Sequence, residues 1–211
     1  MSIHSETIRY LGYKNTPPDG QTESLIEACL HELAATAKTR AVSRRVPLEL
    51  QGNTIKAAGM TIESADLAKN LQGCTQLVLF AATLGHEVDR RLKGYTRLNI
   101  SKAAVFQAAA AAVLESYCDD WQAALTASLK SEGLFCRPRF SPGYGDFALS
   151  HQSAFLAAVG AGKTLGITLT EGNLMLPEKS VTAVMGIADT PGPQQAKSCT
   201  DCSNIICVYK R

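Results

Sequence analysis

The sequence predicts an α+β domain in which helices flank an antiparallel or mixed sheet. Three observations carry this expectation. Apolar runs of strand length and segments with helical spacing alternate irregularly, not as repeating strand–helix pairs. No strand passes through a glycine-rich turn into a helix in the manner of a dinucleotide-binding unit. No internal repeat or long linker interrupts the chain, so residues 1–190 read as one domain and 191–211 as a cysteine-rich tail.

The elements follow from local chemistry. "DGQTESLIEACLHELAATAKTR" sets Leu25, Ile26, Cys29, Leu30 and Leu33 at helical spacing after a Pro-Pro-Asp-Gly breaker, with Thr22 as the expected N-cap. "AVSRRVPLEL" and "NTIKAAG" read as short extended segments around the Gln-Gly-Asn turn. "SADLAKNLQG" reads as a short helix that Gly73 ends in a left-handed cap. "TQLVLFAATLG" carries the continuous apolar run Leu77–Phe80 of a buried strand, and the charged "HEVDRRLKGY" then turns helical. Ser101 is expected to cap the longest helix, residues 102–130, which Gly133 closes. "LFCRPRF" is extended, Ser150 is expected to cap the helix "HQSAFLAAVGAGKTLG", and "GITLT", "NLMLP" and "SVTAVMGIAD" are short strands before the break at "TPGPQQ".

Composition excludes several classes of function. Lys+Arg of 21 against Asp+Glu of 19 gives a formal charge of +2, without the basic excess of a general nucleic-acid binder. No uncharged apolar run approaches the ~18 residues that span a bilayer. "MSIHSETIRYLGYKN" lacks the apolar core of a signal peptide, so a cytoplasmic location and reduced thiols are expected for the seven cysteines. "VGAGKT" resembles the end of a phosphate-binding loop, but Ala157 stands where the pattern requires glycine and a helix leads in, so a helix C-cap is the better account. His4, His31, His86 and His151 show no metal-ligand spacing, and no Gly-x-Ser-x-Gly elbow is present.

Two clusters remain. Cys199, Cys202 and Cys207 have Cys-x2-Cys-x4-Cys spacing, which suits zinc or an iron–sulfur cluster, although three thiolates are one short of a closed tetrahedral site. The alternative is a thiol tail without metal. The second cluster is "RFSPGYGDF", residues 139–147, whose glycines and proline exclude a stable helix. Arg139 offers a planar fork for a carboxylate, Tyr144 a π face for a heterocycle or cation, and Gly143 a close backbone approach that Pro142 stiffens. A ligand with a carboxylate, a cationic centre and a flat base would use all of these, as S-adenosylmethionine does. The alternative is a structural turn, with Arg139 in a surface ion pair and Tyr144 in the core.

"RFSPGYGDF" resembles the Arg-x-x-x-Gly-Tyr signature of the reactivation domain of cobalamin-dependent methionine synthase. About thirty residues on, "GITLTEGNLMLPEKSVTAVMGI" is similar to that domain's second block. The resemblance covers residues 131–188, while "RYLGYKN" and the cysteine trio look like free-standing versions of the domain. It implies a curved antiparallel or mixed sheet of the activation-domain type. It also implies binding of S-adenosylmethionine, whose methyl group traps cobalt reduced from cob(II) in a partner that carries the cobalamin. The implied partners are the corrinoid-binding core of methionine synthase, or of another corrinoid methyltransferase, and a flavodoxin or ferredoxin electron donor. By the same resemblance Arg139 holds the methionyl carboxylate, Ser141, Pro142, Gly143 and Tyr144 form the binding loop, and Glu115 on the long helix is an acidic ligand contact. The chain reads "GDFALSHQ" where the large enzymes carry a proline, a cysteine and a Pro-Asp-His run, so those residues do not carry over. It also lacks the Asp-x-His-x-x-Gly cobalamin motif and room for the homocysteine and folate barrels, which implies an accessory subunit. Two further readings are a redox or metal carrier acting through its cysteine tail, and a scaffold that keeps the fold without the ligand. Arg90, Arg91, Lys93 and Arg97 either steer an acidic electron donor or form a solvated helix face.

Overall fold

Residues 2–14 and 16–192 are described by a computed structural model. The cysteine trio, and with it the expected metal site, lies outside the described residues. Ser2 opens helix α1 (Ile3–Tyr10) by accepting from the Ser5 N–H, an element that the polar N-terminal sequence does not announce. Helix α2 (Gly20–Thr36) follows, and here the expected cap is corrected. Asp19, not Thr22, is the N-cap, and its carboxylate accepts from the Thr22 N–H at 2.7 Å. An aspartate at that position also places negative charge against the positive end of the helix dipole.

Strands β1 (Arg40–Pro47), β2 (Glu49–Gln51), β3 (Thr54–Ala57) and β4 (Met60–Glu63) come next, the last of them unforeseen in the sequence. Helix α3 (Ala65–Asn70) is capped by Ser64 and leads into β5 (Gln76–Thr83), the buried strand that Leu77–Phe80 announce. Helix α4 (His86–Leu98) and the 32-residue helix α5 (Ile100–Ser131) meet at Asn99, which caps α5 by accepting from the Lys102 N–H at 2.9 Å. Asn99 therefore takes the role expected of Ser101, and α5 starts two residues earlier. Strand β6 (Phe135–Cys136) precedes a 3-10 turn at Leu149–His151, so Ser150 caps nothing by its side chain. The expected single helix from His151 to Gly166 is two helices, α6 (Gln152–Val159) and α7 (Ala161–Leu165). Gly160, at φ +70°, divides them in a left-handed conformation that a residue with a Cβ adopts at a cost. "VGAGKT" is thus a helix cap, as its sequence implies. The short hairpin β7 (Thr168–Leu169) and β8 (Met175–Leu176) and the long strand β9 (Ser180–Ala188) complete the order.

The central sheet runs β1-β5-β9-β6, with every pairing antiparallel, and β2-β3-β4 forms a smaller antiparallel sheet. Alternate residues of β5 and β9 feed two cores. Leu77, Leu79, Ala81 and Val184 pack against α3, α6 and α7, while Val78, Phe80, Ala183 and Met185 pack against α2 and α5. Both faces of β5 are covered, which is why its sequence is continuously apolar. No helix of the described residues is long and apolar enough to cross a membrane. Cys29, Cys74, Cys118 and Cys136 are free thiols, and burial pushes Cys29 up to about 11 and Cys118 up to about 12, leaving both inert in the core.

Candidate functional site

Beside the outer edge of β9 lies a groove of about 1480 Å³, larger than the ~300–1,000 Å³ of ordinary small-molecule sites. Helix α5, the 138–144 loop and the β7–β8 hairpin form its walls. Strand β6 covers β9 only at Ile187 and Ala188, and Phe140 bridges Val184 in both directions, at 2.9 and 2.8 Å. From Ser180 to Ala183 no described strand lies on that side of β9. Antiparallel alternation then sends the peptide N–H and C=O of Thr182 out along the same edge as those of Val184. The Thr182 hydroxyl accepts from Gln152 Nε2 at 2.7 Å, while the buried Gln152 Oε1 has no hydrogen-bond partner among the described residues.

The loop is built by short-range chemistry. Tyr144 N–H donates to Ser141 O at 3.1 Å, closing a turn with Pro142 and Gly143 at its centre. Gly143 has φ +94°, the conformation that the second central position of a type II turn demands, after a proline that fixes the first. Gly143 N–H donates to Phe147 O at 2.7 Å, and Phe147 is buried, so the turn is anchored from behind. Asp146 fastens the loop to helix α3: its carboxylate accepts from the Ser64 hydroxyl, from Ala65 N–H at 2.7 Å and from Asp66 N–H at 3.2 Å.

These bonds, the one from Ser64 foremost, lower the Asp146 pKa below the usual 3.8. The stability they contribute is present above the ordinary carboxylate value and is lost as pH falls through the depressed one. Asp146→Asn is therefore expected to lower Tm at about pH 7, and the gap to the wild type should close as acid protonates Asp146. A gap that persisted at the lowest pH would count against the carboxylate as the fastening.

The structure brings Arg139, Ser141, Pro142, Tyr144 and Glu115 to the walls of one groove, with Gly143 in the turn between them. Arg139 is largely buried and splits its guanidinium between two roles. Nη1 donates to Cys118 O and Gln122 Oε1, both at 2.9 Å, while Nη2 meets Asp119 at 2.7 Å and Glu115 at 3.3 Å. Tyr144 is 68% exposed, so of the alternative reading as a structural turn the ion-paired arginine is present and the core tyrosine is not. Asp119, Gln122, Gln152 and Lys179 are groove residues that the sequence reading missed. Glu115, Asp119 and Gln122 stand at i, i+4 and i+7 on one helix face, a spacing that could have found them.

Lys179 is 9% exposed, lines this groove and a second cavity of about 550 Å³, and makes no ion pair within the described residues. Burial lowers its pKa, against the opposing charges of Glu178 and Asp89. Below that lowered pKa the folded protein carries a penalised charge; the penalty disappears as pH rises towards the ordinary 10.5. Lys179→Met is expected to raise Tm at neutral pH, by an amount that shrinks as pH rises through the Lys179 pKa. A lowered Tm would contradict this. Among the described residues no group of three or more His, Cys, Asp or Glu could hold a metal ion. Of the basic residues on α4, Arg90 is paired with Glu87, and Arg91 with Glu87 and Glu32.

An antiparallel α+β domain with one large groove beside a short-turn loop is the class that fold and site define. Its architecture is that of the MetH reactivation domain. A crystal structure of that domain bound to AdoHcy (S-adenosylhomocysteine) superposes with a TM-score of 0.62 at 14% identity, over 88% of this chain and 76% of the other. No family model matches the chain. No curated protein matches its sequence.

Proposed function

We propose that this protein binds S-adenosylmethionine in the groove and supports the reductive reactivation of a cobalamin-dependent methionine synthase held on a separate chain. The observation that carries the reading is the charge pattern around Arg139. A guanidinium flanked by Glu115 and Asp119 is complementary to an amino-acid head that bears a carboxylate beside an ammonium. Similarity to a domain crystallised with S-adenosylhomocysteine gives that pattern a matching ligand. In this reading Arg139 takes the carboxylate, Glu115 faces the cationic end, Tyr144 lies against a flat ring, and the Thr182 peptide edge meets the hydrogen-bonding edge of a base.

Cobalamin, when brought by the partner, supplies the metal that accepts the methyl group. This chain's part is to bind and orient, which by itself accelerates a reaction between two held groups. Tyr144, Leu149 and Leu174 border the groove with exposed apolar surface, at 68%, 37% and 64%, which suits contact with a large planar macrocycle. The electron would come from a flavodoxin or ferredoxin. A redox or metal-carrier role would rest on Cys199, Cys202 and Cys207, which lie outside the described residues.

Calorimetry with S-adenosylmethionine and S-adenosylhomocysteine tests the binding step. Reactivation is tested by mixing the protein with an inactive, cob(II)-loaded methionine synthase and a reductant, and following return of the methylated spectrum. Absence of binding at saturating ligand would sink the proposal.

A further inference from the structure

We infer that Asp119 is an intramolecular stand-in for the ligand's carboxylate, held on Arg139 until the ligand displaces it. The inference rests on the ligand reading above and adds a residue that sets affinity. Arg139 is only 18% exposed, and its Nη1 is fixed by the Cys118 carbonyl and Gln122, so the guanidinium keeps its orientation whatever its outer edge binds. Asp119 occupies that outer edge at 2.7 Å, yet its side chain is 74% exposed and Arg139 is its only ion-pair partner among the described residues. Glu115 is the weaker contact, at 3.3 Å and 48% exposed, and it alone of the two acids also lines the second cavity. Asp119 is thus the carboxylate that swings into water at little cost, because an exposed ion pair contributes little. Glu115 remains to neutralise a ligand ammonium. The exchange is of like for like: the Asp119 carboxylate gives up its hydrogen bond to Nη2 and the ligand's carboxylate takes it, with no covalent bond broken and no proton moved.

The experiment is calorimetric titration of the wild type, Asp119→Ala and Asp119→Asn with S-adenosylhomocysteine, and with its decarboxylated analogue, which keeps the amine and lacks the acid. Both variants are expected to bind S-adenosylhomocysteine about 1.5- to 5-fold more tightly than the wild type, the range of an exposed ion pair expressed as a ratio. The gain should shrink as salt screens the competing charge, and should be absent with the decarboxylated analogue. Weaker binding of both ligands by the variants would make Asp119 a partner of the ammonium and overturn the inference. So would unchanged affinity for S-adenosylhomocysteine. If the wild type and both variants all fail to bind either ligand, the ligand reading itself falls, an outcome separate from the other two. Asp119 is largely exposed and belongs to neither hydrophobic core, so loss of fold does not confuse the comparison, and matching Tm values across the three proteins check this.

Discussion

Arg139→Ala is expected to weaken S-adenosylmethionine binding by about 2–3 kcal/mol, roughly 30- to 160-fold in Kd, the range for truncating one side of a charged hydrogen-bonded pair. Two effects add. The ligand's carboxylate loses its fork, and Glu115 and Asp119, stripped of the cation between them, leave net negative charge facing that carboxylate. Arg139→Lys should recover only part of the loss, because an ammonium cannot hold Gln122 and the Cys118 carbonyl while meeting a carboxylate in parallel. The fold should survive, since the guanidinium lies at the groove and outside both hydrophobic cores. Isothermal titration alongside a thermal melt separates the two quantities. Unchanged affinity in a folded variant would remove Arg139 from the site.

Phe80→Ala should cost about 3–5 kcal/mol of stability, the usual range for emptying a buried aromatic position. Phe80 is fully buried on β5, paired with Ser43 of β1 on one side and Ala183 of β9 on the other. Its ring sits 4.4 Å, centroid to centroid, from Trp121 of α5, so it joins the sheet to the helix that carries Glu115, Asp119 and Gln122. Against a typical total of about 5–15 kcal/mol the loss is large. Urea denaturation followed through the fluorescence of Trp121, the chain's one tryptophan, would read it directly. A loss under about 1 kcal/mol would mean that the site collapses around the deleted ring. Looser packing of α5 should also blur the groove, so a milder Phe80→Leu variant is expected to weaken ligand binding without unfolding the protein.

These two experiments address different scales, and the sequence was readable to different depths at each. The strand Leu77–Phe80 and the helices after the Pro-Pro-Asp-Gly and Gly85 breaks are set by local periodicity and turn residues, and they appear where those signals place them. Caps were harder. Thr22, Ser101 and Ser150 are all chemically able to cap, but Asp19 and Asn99 stand at the true helix starts, and a 3-10 turn takes the third place. Which of several adjacent polar residues becomes the cap depends on where packing of the apolar face begins the helix, and that is a tertiary matter. Strand β4 and helix α1 escaped notice for the same reason: each is short and is held mainly by what it packs against.

By itself the sequence determined that residues 139–147 form a stiff loop that carries a guanidinium and a phenol ring, because proline and glycine restrict the backbone whatever surrounds them. Only the tertiary structure decided what those groups face. It set Arg139 against Asp119 and Glu115, twenty or more residues earlier on α5, left Tyr144 open to water, and opened the edge of β9 beneath them. The physical reason is range. Backbone stiffness acts over a few residues, whereas charge pairing and burial act through space, between segments that meet only once the two cores have closed on either side of β5 and β9.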